Sequence, residues 1–298
     1  MKRFTVLTLL TVVLWWSPLG ADSGAGLPTL PALNAPASTV SLPGKFIFAD
    51  YFTSDIEAAR RFYGGLFGWE WRWVSPDHSY GIFYHDDIAV AGVVLQEAND
   101  TVQAYGRWIY YISTDDVPKM VADIVSGGGR VLLEPRSVPD RGTLAVVADA
   151  EGAPFGLLDS SSGDPADYRA EPGEWLWVSL YSQDAGEASR FYGSQFGYEI
   201  IEADDTGDGP GYFLSKGGYA RAGISHLSAE SESHPTWVGY IRVEDVGAYV
   251  AKAVDLGGEV LLGQAPELLE GNLAVVSDPA GAPIALINWN FEDQEAAQ

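Results

Sequence analysis

The sequence predicts an α+β fold of two tandem domains, each a pair of strand–helix–three-strand modules that form a curved, partly open mixed sheet. Two observations lead to this prediction. A single offset of 129 residues superposes one half of the chain on the other, and the module pattern occurs twice within each half. A unit of this length is far longer than the roughly 20–50 residues of a solenoid repeat, so the offset indicates a duplicated domain.

The repeat is clearest around the first helix of each half. Residues 55–70 read DIEAARRFYGGLFGWE, and residues 184–199 read DAGEASRFYGSQFGYE. The same offset relates further pairs of identical residues: Trp108 and Trp237, Asp116 and Asp245, Gly142 and Gly271, and Asp149 and Asp278. The two copies can therefore be compared position by position.

The first module of the first copy starts with an apolar, aromatic strand at residues 45–53. Asp55 is expected to cap the helix that follows, since its carboxylate can accept free N–H groups of the first turn and apolar residues recur at helical spacing. Gly68 ends this helix. Turn-forming Pro and Asp residues then separate three predicted strands. These strands are expected at residues 69–74, 79–84 and 88–95.

The second module repeats this order. A strand at residues 107–114 precedes a helix that Asp116 caps and Gly127–Gly129 closes, and three strands follow. Strand–helix–three strands, twice per domain, places the helices on one side of a curved mixed sheet. The strands of this module and of the second copy are expected at residues 131–134, 144–148, 155–158, 176–181, 198–201, 211–215, 221–225, 237–243 and 284–287.

The N-terminal residues have the composition of an export signal. Lys2 and Arg3 precede an uncharged, mostly apolar run of 13 residues, 4–16, and small residues follow it. This run is too short to span a bilayer, which takes about 20 residues. We therefore expect a signal peptide at residues 1–25 and a periplasmic or secreted protein. A retained N-terminal anchor is the alternative.

The repeat and the local composition set the remaining boundaries. We expect a linker at 26–44, a first domain at 45–160, a linker at 161–173, a second domain at 174–290 and a tail at 291–298. The net charge of −24 disfavours nucleic-acid partners and anionic membranes, because phosphate binding needs clustered Lys and Arg. No cysteine is present, so the domains have no disulfide framework. We expect no stable membrane span after signal cleavage.

Several motifs resemble the vicinal oxygen chelate superfamily, which includes glyoxalase I, bleomycin-resistance proteins and extradiol dioxygenases. They are the FY–FGW pattern of the first helix at residues 62–69, the Gly128–Gly129 pair, and the DAEGAPF turn at residues 149–155, each with a counterpart in the second copy. The likeness covers about residues 45–159 and 174–290. It implies that the two domains pack with approximate two-fold symmetry, as homodimers of this superfamily do, within a monomer.

In the metal-binding members, the resemblance implies one ligand on the fourth strand of each domain, near residues 92–95 and 223–226, and ligands at three further strand positions that can be counted from the motifs. The first of these three lies on the first strand, seven residues before the helix-capping aspartate. The second lies on the fifth strand, seven residues before Asp115 in the first copy. The third lies on the last strand, seven residues after the aspartate of the preceding turn. Divalent metals need imidazole or carboxylate donors there. The residues at these positions are Phe48, Trp108, Gly156, Trp177, Trp237 and Ala285. We therefore expect no metal and no cofactor, and no catalytic residue is assigned.

Aromatic residues at these positions define a candidate ligand site instead. Strand alternation places the side chains of Phe46, Phe52, Trp175 and Tyr181 on the same concave faces as Phe48 and Trp177. Flat rings with a few polar groups are typical of small-molecule clefts. We predict clefts that bind a small apolar or aromatic molecule. The predicted ligand-binding residues are Phe48, Asp50, Trp108, Trp177, Ser179 and Trp237.

Three function classes remain open at this point. The first is an exported, metal-independent protein that binds a small molecule in one or both clefts. The second is an enzyme of the superfamily: a metal-independent lyase or isomerase, or a metal enzyme such as a dioxygenase with displaced ligands. The third is a structural or partner-binding module whose aromatic residues fill the clefts as core. Tightly bound metal would favour the second class, and filled clefts would favour the third.

Overall fold

The first copy forms one eight-stranded mixed sheet in the computed structural model, which describes residues 30–96, 106–203, 211–227, 234–266 and 268–291. Its elements are β1 (Phe46–Thr53), α1 (Ile56–Phe67), β2 (Glu70–Trp73), β3 (Tyr80–His85), β4 (Ile88–Leu95), β5 (Arg107–Ser113), α2 (Val117–Ser126), β6 (Arg130–Val138), β7 (Gly142–Ala148) and β8 (Pro154–Ser160). The strand order is β2-β3-β4-β1-β5-β8-β7-β6. The two modules therefore join where β1 pairs antiparallel with β5.

The second copy repeats this sheet with the order β10-β11-β12-β9-β13-β16-β15-β14. Its elements are β9 (Trp175–Ser182), α3 (Ala185–Phe196), β10 (Glu199–Glu202), β11 (Tyr212–Lys216), β12 (Tyr219–His226), β13 (Thr236–Arg242), α4 (Val246–Asp255), β14 (Glu259–Leu262), β15 (Leu273–Ser277) and β16 (Pro283–Ile287). Each module runs strand–helix–three strands, and the predicted α+β tandem fold is confirmed.

The N-terminal prediction falls outside these residues. The proposed signal peptide at 1–25 and the start of the linker at 26–29 precede the part of the chain that the structure describes. Within the described residues, no helix is both long enough and apolar enough to cross a membrane.

An aspartate begins each of the equivalent helices α1 and α3. The Asp55 and Asp184 carboxylates accept the N–H group three residues ahead at 2.8 and 2.9 Å, which satisfies a donor that has no partner within the helix. Gly68 and Gly197 end these helices in the left-handed conformation, with φ of 75° and 66°. The same local chemistry therefore starts and stops the helix in both copies.

One apolar core joins the helix-bearing faces of the two sheets. It contains buried residues from all four helices and from the central strands of both domains. Helix α1 lies against α4, and α2 lies against α3. The domains therefore pack back to back. The helix-free face of each sheet points away from this interface and carries a smaller apolar cluster of its own.

A hydrogen-bond network crosses this core from the first domain to the second. Asp149, in the turn between β7 and β8, accepts the Tyr192 hydroxyl at 3.0 Å. That hydroxyl in turn accepts the Trp237 indole N–H at 3.1 Å. Burial raises the pKa of Tyr192 well above its usual value, so the hydroxyl stays protonated and acts as both donor and acceptor. Burial also raises the pKa of Asp149.

A reciprocal network crosses in the other direction. Asp278, in the equivalent turn of the second domain, accepts the Tyr63 hydroxyl at 2.9 Å, and Tyr63 accepts the Trp108 indole N–H at 2.9 Å. Tyr51 also donates to the Asp278 carboxylate. In both networks the carboxylate comes from one domain and the tyrosine–tryptophan pair from the other.

Replacing Tyr192 by Phe tests the strength of these networks. The change keeps the ring but leaves the Trp237 N–H and one Asp149 oxygen without their partner inside the core. We expect the free energy of unfolding to fall by about 1–3 kcal/mol, measured by urea denaturation at pH 7. Tyr219→Phe, at a side chain that is 57% exposed, is the control and should change it by less than about 0.5 kcal/mol. A Tyr192→Phe protein as stable as the control would contradict this account.

Candidate functional site

Trp108 and Trp237 do not line the clefts, and this part of the sequence prediction is wrong. Both side chains lie in the core between the domains, where they are 4% and 2% exposed. Their indole N–H groups are already used in the networks described above. These two tryptophans are therefore structural residues of the interface.

The error came from a shift of one residue on the fifth strand of each domain. Helix α2 is capped by Asp116, whose carboxylate accepts a first-turn N–H at 2.9 Å, so the position seven residues earlier is Ile109 and not Trp108. In the second domain the cap is Asp245 and the corresponding residue is Val238. A slip of one residue turns a strand side chain to the opposite face. Ile109 and Val238 are the residues that lie on the helix-free faces.

A β-bulge overturns a second expectation. Phe46 and Trp175 were expected on the same face as Phe48 and Trp177. The register of β1 against β5 shifts between Phe46 and Phe48, and that of β9 against β13 shifts between Trp175 and Trp177. The extra residue turns Phe46 and Trp175 towards the interdomain core. Their ring centroids lie 4.9 and 5.3 Å from the core tryptophan of the opposite domain.

The helix-free face of the first domain holds a buried polar group. Asp50 is 5% exposed and accepts the Tyr80 hydroxyl at 2.8 Å, and it is also hydrogen-bonded to Tyr111. Burial raises the pKa of the Asp50 carboxyl, and the charge of the nearby Arg141 offsets part of this effect. Position 92 must be glycine, because a Cβ there would overlap the Asp50 and Tyr80 oxygens.

The chain's own residues 30–34 cover this polar group. Leu30 is 8% exposed and belongs to the apolar cluster of the face. Arg141 donates from Nε to the Pro31 carbonyl oxygen at 2.9 Å, and its guanidinium carbon lies 4.1 Å from the centroid of the Phe48 ring. The cleft of the first domain is therefore filled by the protein itself.

The corresponding face of the second domain is less covered. Its cluster contains six buried apolar residues among those described, against eleven in the first domain. Three large or charged residues of the first cleft are replaced by smaller or exposed ones at the equivalent strand and turn positions. The replaced residues and their counterparts are Asp50 and Ser179, Tyr80 and Gly211, and Arg141 and Glu270.

Aromatic rings and hydroxyl groups line this open face, which we call the second cleft: Trp177, Ser179, Tyr181, Phe213 and Tyr240. The Trp177 indole N–H donates to Ser179 Oγ at 3.0 Å, and the hydroxyls of Tyr181 and Tyr240 lie 2.9 Å apart. The Phe213 ring is 6.2 Å from the Trp177 ring and 41% exposed. Burial raises the pKa of Tyr240, so its hydroxyl stays protonated. The set contains no carboxylate, imidazole or amine, so the cleft is suited to binding.

The metal positions that the resemblance assigns do not fit a divalent ion. Their side chains carry no donor atom, and a larger residue at Gly156 would overlap the Tyr111 ring. In the parts of the chain that the structure describes, no three His, Cys, Asp or Glu side chains group together as a metal site. The residues at these positions are Phe48, Ile109, Gly156, Trp177, Val238 and Ala285.

Comparison with known proteins establishes the family. Residues 46–158 match the Glyoxalase-like domain family, and residues 175–286 match the Glyoxalase/Bleomycin resistance protein/Dioxygenase superfamily. The chain therefore belongs to the vicinal oxygen chelate superfamily and carries two of its domains in tandem.

Two relatives and one solved structure illustrate the likeness. The anthracycline biosynthesis protein DnrV of Streptomyces peucetius is 29% identical over 82% of this chain and 93% of its own length. A Mycobacterium tuberculosis protein with the provisional name glyoxylase CFP32 is 29% identical over 80% of this chain and 93% of its own length. The Mn(II)-bound glyoxalase of Novosphingobium aromaticivorans superposes with a TM-score of 0.56 at 16% identity, over 84% of this chain and 83% of that one. This last likeness shows the fold alone.

Sequence reasoning missed the tyrosines at the centre of both clefts. Tyr111 and Tyr240 are related by the 129-residue offset, and their side chains are hydrogen-bonded to Asp50 and Ser179 on the neighbouring strand. Counting from the true cap at Asp116 would have placed this alternate set of residues on the helix-free face. The signal was therefore present in the sequence.

Asp50→Asn tests the buried carboxyl of the first cleft. The folded-state pKa of Asp50 is raised above its ordinary value of 3.8, so between these two values the folded protein binds more protons than the unfolded chain. The contribution of Asp50 to stability therefore falls as pH rises through this window, by at most about 1.4 kcal/mol per pH unit. Asn has no such dependence.

We expect the unfolding free energy of Asp50→Asn minus that of the wild type to increase with pH above about 4 and then to level off. Urea denaturation of both proteins between pH 4 and pH 8 measures this difference. A difference that stays constant or falls with pH would show that burial does not raise this pKa.

Proposed function

We propose that this glyoxalase-like protein is an exported, metal-independent binding protein that holds a planar aromatic molecule in the second cleft. The observation that carries this proposal is the asymmetry of the two copies. Residues 30–34 and Arg141 close the first cleft, whereas Trp177 and Tyr181 of the second cleft are half-buried and Phe213 is exposed. Exposed rings at the centre of a family ligand cleft support a site for a flat molecule.

The chemistry of the second cleft favours a fused aromatic ligand with phenol or quinone oxygens. Ring walls provide stacking, while Ser179, Tyr181 and Tyr240 provide hydroxyl groups for a polar edge. The name of the Streptomyces peucetius relative supports this class, because anthracyclines are planar, polycyclic aromatic compounds with such oxygens. Binding is favoured over catalysis since the cleft set contains no His, Asp, Glu, Lys or Cys, and burial raises the pKa of Tyr240, which makes its hydroxyl a poor general acid at neutral pH.

Export, metal independence and a monomeric state are parts of the same proposal. The basic start and apolar run within residues 1–25 support export. The absence of donor atoms at the family metal positions supports metal independence. The reciprocal networks at Asp149 and Asp278 support a monomer whose two domains pack with approximate two-fold symmetry.

Tyr240→Phe and Tyr181→Ala test the second cleft. The probe is 2-hydroxyanthraquinone at pH 6, followed by calorimetry and by quenching of tryptophan emission. We expect the wild type to bind it with a dissociation constant on the order of 10 µM, since apolar burial exceeds the cost of association only modestly. Tyr240→Phe should weaken binding several-fold through the lost hydrogen bond. Tyr181→Ala should weaken it at least about tenfold through the lost ring wall.

The matched controls are the equivalent changes in the filled cleft, Tyr111→Phe and Phe52→Ala, which should leave the affinity unchanged. Weaker binding in the controls but not in the second-cleft variants would move the site to the first domain. The proposal would be wrong if the wild type did not bind 2-hydroxyanthraquinone and no other planar aromatic compound quenched its tryptophan emission. Both clefts would then be filled by the protein itself.

A further inference from the structure

We propose a second ligand site in the crevice between the domains, for a planar aromatic molecule that carries a carboxylate. The crevice has a volume of about 550 Å³. It lies between the first strands of the two domains and the connecting segment at residues 165–174. The crevice shares Trp177 with the second cleft but is lined by none of Ser179, Tyr181, Phe213 and Tyr240. The inference does not depend on the proposed function.

The crevice exists because two pairs of strands diverge at their starts. Strand β1 pairs with β4 only from Asp50 and Gly92 onwards, and β9 pairs with β12 only from Ser179 and Gly223 onwards. The preceding residues of all four strands border the gap. Equivalent residues of the two domains therefore line it: Phe46 and Trp175, Phe48 and Trp177, and Ala89 and Ala220.

Several aromatic residues line the crevice, and the polar atoms of Trp175 and Tyr110 are already hydrogen-bonded. The Trp175 indole N–H donates to the Val90 carbonyl oxygen at 2.8 Å, and the Tyr110 hydroxyl accepts the Gly239 N–H at 2.8 Å. The rings therefore present apolar surface to the gap. A volume of this size lies within the roughly 300–1,000 Å³ typical of sites for small molecules, so a fused ring system fits.

Two cations meet at the crevice in a chain that has only 17 Lys and Arg against 41 Asp and Glu. Lys45 of the first domain and Arg221 of the second lie 2.9 and 2.7 Å from the same oxygen of Asp167. Their side chains are 12% and 11% exposed, and that of Asp167 is 36% exposed. The other acidic group of the wall, Glu174, accepts the Glu171 N–H at 2.7 Å.

Two largely buried cations that share one exposed carboxylate can accept a second one. A ligand carboxylate that joins or replaces Asp167 would make charge-assisted hydrogen bonds to Lys45 and Arg221 while its rings stack between the strands. Since the two cations belong to different domains, the ligand would contact both halves of the chain at once.

The test uses two probes with the same ring, 2-naphthoate and the uncharged 2-naphthylmethanol, titrated into the full chain by calorimetry. We expect 2-naphthoate to bind at least about tenfold more tightly than the alcohol, because only the carboxylate reaches the cations. Lys45→Gln should remove most of this difference. Asp167→Asn should increase the affinity for 2-naphthoate several-fold and leave that for the alcohol unchanged, since it frees both cations.

Ala220→Trp fills the crevice from a position that is exposed, and it should abolish binding of both probes. Ala251→Trp, on the exposed side of α4, is the matched control and should bind as the wild type does. Equal melting temperatures of the two variants would show that the fold is retained. Tyr240→Phe should leave the affinity for 2-naphthoate unchanged, and Ala220→Trp should leave the affinity for 2-hydroxyanthraquinone unchanged.

Three results would overturn the crevice site: no binding of 2-naphthoate to the wild type, equal affinity for the alcohol, or undiminished binding to Ala220→Trp. If Tyr240→Phe weakened 2-naphthoate while Ala220→Trp did not, the probe would lie in the second cleft. That outcome would reject the crevice and leave the proposed function standing.

Discussion

The two turn aspartates, Asp149 and Asp278, hold the molecule together because each serves both domains. One oxygen of Asp149 accepts two N–H groups of its own turn, at 3.0 and 2.8 Å, and the other oxygen accepts Tyr192 of the opposite domain. Asp278 likewise accepts two N–H groups of its own turn, both at 2.9 Å, and the hydroxyl of Tyr63 in the opposite domain. Neither domain alone satisfies its buried tyrosine–tryptophan pair. The helix-bearing faces must therefore pack against each other, which leaves the helix-free faces outside this interface.

Once the copies are joined in this way, their outer faces can differ without disturbing the core. In the first domain a buried Asp50 needs hydroxyl donors and a nearby cation, and these groups together with Leu30 occupy the cleft. In the second domain Ser179 carries no charge, so no such support is required. The same scaffold thus has one filled cleft and one open cleft, with a crevice along the seam where the first strands diverge.

The fold could be predicted from the sequence because the repeat, the capping aspartates and the terminating glycines are local signals that both copies share. The site was only partly predictable. Counting from Asp115 instead of the helix cap Asp116 places Trp108 in the cleft. Because side chains alternate along a strand, an error of one residue in the count assigns a side chain to the opposite face of the sheet. The bulge after Phe46 has no composition signal in the strand itself.

The filling of the first cleft was also beyond sequence reasoning. Residues 30–34 have the composition of a linker, and only the contacts of Leu30 and Pro31 with the distant Arg141 and its neighbours show where they lie. Long-range packing of this kind leaves no periodic pattern.

The asymmetry of the two clefts is the central claim, and crystallography with a brominated ligand tests it most directly. Crystals soaked with 6-bromo-2-naphthol should show an anomalous bromine peak beside Trp177 and Tyr181 in the second domain. No peak should lie beside Asp50, where Leu30 should keep its place. A peak in the first cleft with residues 30–34 displaced, and none in the second, would contradict the account.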